Sequence, residues 1–102
     1  MVPGQALAQT ISFGAPREFA VGGGPNGMAS GDFNGDGAPD LAVADTGTNS
    51  TVSVLLGRGD GTFGAERTIQ AGSSPYWVTT GDFNGDGRID LATANAQSND
   101  VS

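Results

Sequence analysis

An all-β fold built from repeated sheets is what this sequence predicts, and three observations predict it. Residues 12–45 align with 62–95 at a constant offset of 50, without gaps, and give 17 identities in 34 positions. The segments between turns read as short strands rich in valine, threonine and small residues. No window carries the caps of a helix. A period of this length points to solenoids or propellers, in which each unit buries its faces only against its neighbours. About four strands per 50 residues is the content of one β-propeller blade. The expectation is therefore about two four-stranded antiparallel β-propeller blades, the second incomplete, within a larger ring or a self-assembling protomer.

In chain order, residues 1–11 stand outside the repeat. Ala6-Leu7-Ala8 before Gln9 fits the small-x-small pattern of a signal-peptidase site, so this stretch reads as a leader or signal-peptide remnant. Residues 12–61 form the first repeat and 62–102 the second, which is truncated. Strands are expected over 17–21 and 67–71, then over 28–32 and 77–82. Small-residue strands over 41–44 and 91–94 suit tight packing near a propeller axis. Residues 51–56 make the most apolar strand, and 57–62 its hairpin turn. Val101-Ser102 aligns with Val52-Ser53 after a one-residue deletion.

The chemistry concentrates in one stretch that occurs twice. Asp32, Asn34 and Asp36 alternate, Gly37 follows, and Asp40 closes the loop; Asp82, Asn84, Asp86, Gly87 and Asp90 repeat the pattern. Ca²⁺ takes about 6–8 oxygens from carboxylates, amide and backbone carbonyls and water. Alternation directs three side chains at one centre, while Gly37 and Gly87 permit the sharp turn. By analogy with the EF-hand loop, the backbone carbonyl of Ala38 or Arg88 is the expected fifth protein ligand. Asp-Gly and Asn-Gly pairs also mark plain turns, but two complete copies at fixed spacing favour metal. About one Ca²⁺ per repeat, two per chain, is expected. EF-hand and dockerin loops place their last acid at position 12, where this chain has Val43 and Thr93, so that alternative is set aside.

Composition narrows the rest. The chain carries 11 acids against 4 bases, a formal charge of −7, and two bound Ca²⁺ would cancel four of those negative charges. No basic nucleic-acid footprint is present. With no cysteine and no histidine, a Cys/His zinc site and a Ser-His-Asp or Cys-His catalytic centre are excluded. No apolar run approaches the roughly 18 residues of a membrane span.

The combined pattern resembles the FG-GAP/VCBS repeat family, the blades of integrin-α-type β-propellers. Phe13-Gly14-Ala15-Pro16 matches the Phe-Gly and Gly-Ala-Pro flavour of that family, and residues 32–40 match its loop, Asp-x-Asn-x-Asp-Gly-x-x-Asp. The second copy keeps the loop but reads Phe63-Gly64-Ala65-Glu66, without the proline. The resemblance covers roughly residues 12–102. It implies a secreted or extracellular setting, with Ca²⁺ fixing the interstrand loops and other loops contacting protein or glycan partners. Two blades cannot close a ring. Either the remaining blades belong to a longer chain, or a homo-oligomer closes the ring, with four chains giving eight blades favoured.

Other features are weighed against plainer readings. Arg58-Gly59-Asp60 spells an integrin-binding tripeptide, yet its place in a Gly-rich turn makes it a hairpin connection. Asn49-Ser50-Thr51 is a formal glycosylation sequon. Tyr76 and Trp77 replace Asn26 and Gly27; burial between blades is preferred to a sugar-stacking platform. Phe13, Phe33, Phe63 and Phe83 read as inter-blade core. The function that follows is a non-enzymatic calcium-binding module for extracellular protein or glycan interaction. The alternatives are a lectin-like propeller and an accessory segment of a larger secreted enzyme. The clustered acids are all claimed by the metal loops, which leaves no catalytic constellation.

Overall fold

Two consecutive antiparallel sheets make up the described residues. A computed structural model describes residues 16–47 and 50–102; the leader, Phe13 and Asn49 of the sequon lie outside the described residues. Seven strands follow in order: β1 (Pro25–Gly31), β2 (Asp40–Asp45), β3 (Thr51–Leu55), β4 (Arg67–Gln70), β5 (Pro75–Gly81), β6 (Asp90–Asn95) and β7 (Asp100–Val101). They pair as β1-β2-β3-β4 and as β5-β6-β7. No helix occurs among the described residues, and none is long and apolar enough to cross a membrane.

The sequence repeat is reproduced in register. Gly31 lies opposite Asp40 and Gly81 opposite Asp90, so each acidic loop spans the connection between the first two strands of its sheet. Both first strands open on a proline, Pro25 or Pro75, and carry a register shift just after it. Proline has no N–H to give a ladder, so the first residue of a strand beside an irregularity suits it.

Sheet and sequence repeat are out of phase. β4 belongs to the second repeat by sequence but pairs with β3, with Thr51 opposite Gln70 and Val54 opposite Arg67. Its four side chains are all exposed, so the backbone ladder to β3, rather than burial, holds it. Its counterpart, residues 17–21, is not a strand. The two segments carry similar patterns, but the first has no neighbouring strand among the described residues to complete a ladder.

The core lies between the sheets. Ala42, Ala44, Val52 and Val54 of the first sheet pack with Val78 of the second, and Ala29, Phe33, Leu56, Ala71 and Leu91 close around them. Small residues make this close approach feasible. A Cβ on Gly27 would meet the Trp77 ring at 2.9 Å and the Tyr76 carbonyl at 3.0 Å. Trp77 therefore lies over β1, yet it stays 56% exposed, so burial between blades holds only in part. Phe33 joins the core, and Phe63 meets Phe19 edge-on with ring centroids 5.0 Å apart. Phe83 does not follow its copy: it is 60% exposed. Phe33 is covered because the second sheet lies beside it, and no sheet among the described residues does the same for Phe83.

Candidate metal centre

Each loop is shaped by its own aspartates before any ion is considered. In the first, the Asp32 carboxylate accepts backbone N–H groups from Gly35 at 2.9 Å, Asp36 at 3.2 Å and Gly37 at 2.8 Å. Asn34 Oδ1 accepts from the Asp36 N–H at 3.3 Å, and Asp36 Oδ1 from the Ala38 N–H at 3.0 Å. In the second, Asp82 accepts from Gly85, Asp86 and Gly87, Asn84 from Asp86, and Asp86 from Arg88. These are Asx turns in succession, which suit Asp and Asn because their short side chains reach their own backbone. Gly37 and Gly87 have φ of 84° and 83°, so the conformation that only glycine adopts without cost occurs where the sequence required it.

The closing acid ties each loop to its strand. Asp40 is fully buried, accepting the Phe33 N–H at 2.8 Å through Oδ2 and the Gly57 N–H at 2.8 Å through Oδ1. Asp90 accepts the Phe83 N–H at 3.1 Å and is half-buried. Gly57 was not foreseen as a partner of the loop. The Asp82, Asp86 and Asp90 carboxylates bring ligand atoms within 4.8 Å of one another. In the first loop the Asn34 amide instead donates to Asp36 Oδ2 at 3.3 Å. The two loops lie side by side, and Asp32, Phe33 and Asn34 share an open groove with Gly87, Arg88 and Ile89.

The backbone N–H groups also tune charge. The Gly37 N–H is the main cause holding the Asp32 carboxyl below its ordinary 3.8, with Gly35 and Asp36 helping and partial desolvation opposing. Gly87 does the same for Asp82, again against partial desolvation and with help from Asp86 and Gly85. A carboxyl lowered in the folded state stabilises that state above its ordinary value, and the contribution vanishes as pH falls through the lower folded value. The Gly37 and Gly87 amide resonances should therefore hold still between about pH 7 and 5 and move only below the ordinary aspartate value. Movement already above pH 5 would show that these bonds do not form.

The Arg58-Gly59-Asp60 turn also has a structural explanation. Gly57 bridges Phe63, the Arg58 N–H donates to the Thr62 carbonyl, and Asp60 accepts both the hydroxyl and the N–H of Thr62. Those two Thr62 bonds hold the Asp60 carboxyl low. Sequence reasoning passed over Asp45, which is buried with Ser53 and Thr51 at the other end of β2 from Asp40. The available signal was its replacement by Asn95 in the second copy.

Comparison with curated proteins and with solved structures finds no match. The model of the FG-GAP-like repeat matches residues 32–93, from the first acid of the first loop to the strand after the second. That is more than half the chain, and it takes in both loops and the strands joining them. With two antiparallel sheets in repeat, the chain belongs to the FG-GAP-like repeat family, whose repeats form β-propeller blades.

Proposed function

We propose that the chain is a calcium-stabilised propeller-blade module that presents surfaces to protein or glycan partners outside the cell. The observation that supports this best is the convergence of Asp82, Asp86 and Asp90 within 4.8 Å, in a loop whose hydrogen-bond frame is repeated around Asp32. Asp32, Asn34, Asp36, Asp40 and the Ala38 carbonyl would hold one ion. Asp82, Asn84, Asp86, Asp90 and the Arg88 carbonyl would hold another. The donors are all oxygen, as a hard divalent cation prefers. Bound ions would pin the strand pairs β1-β2 and β5-β6 at one end, where carboxylates otherwise repel.

The blade faces carry exposed apolar groups, among them Met28, Ile69, Phe83 and Val101. We assign them to contacts with further blades, supplied by other copies of this chain or by a longer one. Tyr76 lines a depression with Asn95, Asn99 and Asp100, and this arrangement supports glycan contact as a second reading.

Calcium titration by calorimetry, paired with light scattering, tests the proposal. Two loop ions per chain are expected, and Asp86→Asn should weaken one site by about tenfold or more, since affinity follows ligand charge. Saturation at about 100 times Kd would add about 2.7 kcal/mol of stability, lost in EDTA. No calcium uptake by either loop would reject the reading.

A further inference from the structure

We propose a cation site of a different kind, made by Asp45 and Glu66 around Ser53. It lies at the end of β2 remote from Asp40 and uses none of the loop ligands. Asp45 is only 1% exposed. Its Oδ2 accepts the Ser53 hydroxyl at 2.6 Å and the Thr51 hydroxyl at 3.2 Å, while Oδ1 has no hydrogen-bond partner. Glu66 Oε1 lies 2.5 Å from the same Ser53 Oγ, which also accepts the Gly22 N–H at 3.0 Å.

A donor inventory shows what is lacking. A serine hydroxyl offers one proton and two lone pairs. The Gly22 N–H uses one lone pair, and the single proton can serve one of the two carboxylates that face it. The other carboxylate then meets a lone pair, and Asp45 Oδ1 meets nothing. The chain's four basic side chains are all arginines, and among the described residues none pairs with Asp45 or Glu66. A buried carboxylate without a cationic partner is strongly unfavourable, and an unpaired buried oxygen in a native fold calls for a partner, an ordered water or an ion.

The second sheet supplies an internal comparison. There Asn95 takes the place of Asp45, and its amide donates to Asp100 at 2.9 Å and to Ser102 Oγ at 2.8 Å. Ser102 Oγ accepts the Gly72 N–H at 3.1 Å, as Ser53 does from Gly22. The serine and glycine of the frame are shared, but the residue opposite is Asp100 rather than Thr51, so the Asn95 amide finds a carboxylate to donate to and the Asp45 carboxylate has no such complement. A proton repairs the first copy only in part. On Asp45 Oδ2 or on Glu66 it could donate to the second lone pair of Ser53 Oγ, but Oδ1 would still receive no hydrogen bond. A hard cation held by Asp45 Oδ1 and Glu66, with the hydroxyls of Ser53 and Thr51 nearby, neutralises both acids and occupies the unpaired oxygen.

Calcium serves as the probe, with bound metal per folded chain measured by equilibrium dialysis for the parent, Asp45→Asn and Glu66→Gln. Asn95 is the precedent for an amide at the first position, and Glu66 is exposed, so its variant should fold. Circular dichroism verifies each fold. The parent should bind about one ion more than either variant. That difference should persist when Asp36→Asn and Asp86→Asn disable the loops, which separates this site from theirs. Equal binding by the parent and both variants would overturn the proposal.

Discussion

Replacing Asp40 by alanine is expected to destabilise the chain by about 4 kcal/mol, even in EDTA. The carboxylate is fully buried and receives two backbone N–H groups, from Phe33 within the loop and from Gly57 after β3. Removing it leaves both donors without an acceptor, the Gly57 N–H buried and the Phe33 N–H partly so, and each such group costs about 1–3 kcal/mol. Against a typical total of about 5–15 kcal/mol for a whole domain, that is a large loss. Asp90→Ala is the internal control. Its carboxylate is half-buried and accepts one N–H at 3.1 Å, so about 1 kcal/mol is expected without metal. Urea denaturation of both variants in EDTA measures the contrast. Equal small losses would mean that the Asp40 bonds contribute nothing beyond metal binding.

How much of this was legible in the sequence depends on how far each interaction reaches along the chain. The Asx turns of both loops join residues two to five apart, so the glycines they require are legible from spacing, although the alternating acids read as ligands rather than as turn formers. The Asp40–Gly57 bond spans 17 residues, and nothing in the local pattern marks it. Asp40 therefore read only as a ligand, whereas the structure shows it fastening the turn after β3 to the loop. The strand expected over 67–71 forms as β4, whereas the one expected over 17–21 is absent, for a related reason. Their patterns are alike, but a strand exists only where another strand can pair with it, and the sequence does not say which copy has that neighbour. Phe33 and Phe83 differ in the same manner, since burial belongs to the surroundings and not to the residue.

The second large effect acts on the same junction from its other side. A Cβ at Gly57 would fall 2.0 Å from the Pro39 carbonyl oxygen. No flexible side chain can yield there, so Gly57→Ala must drive the turn after β3 away from the first acidic loop. Overpacking of this kind costs about 3 kcal/mol, and here it also stretches the Gly57 N–H from Asp40. The two substitutions damage one contact, so their effects should not add. The double variant Asp40→Ala/Gly57→Ala is expected to lose less than the two single losses combined, by about 1 kcal/mol or more. Full additivity would show that the loop and the turn are held independently, with the clash at Pro39 absorbed elsewhere. A shortfall would identify Asp40 as the link through which the acidic loop is anchored to the rest of its blade.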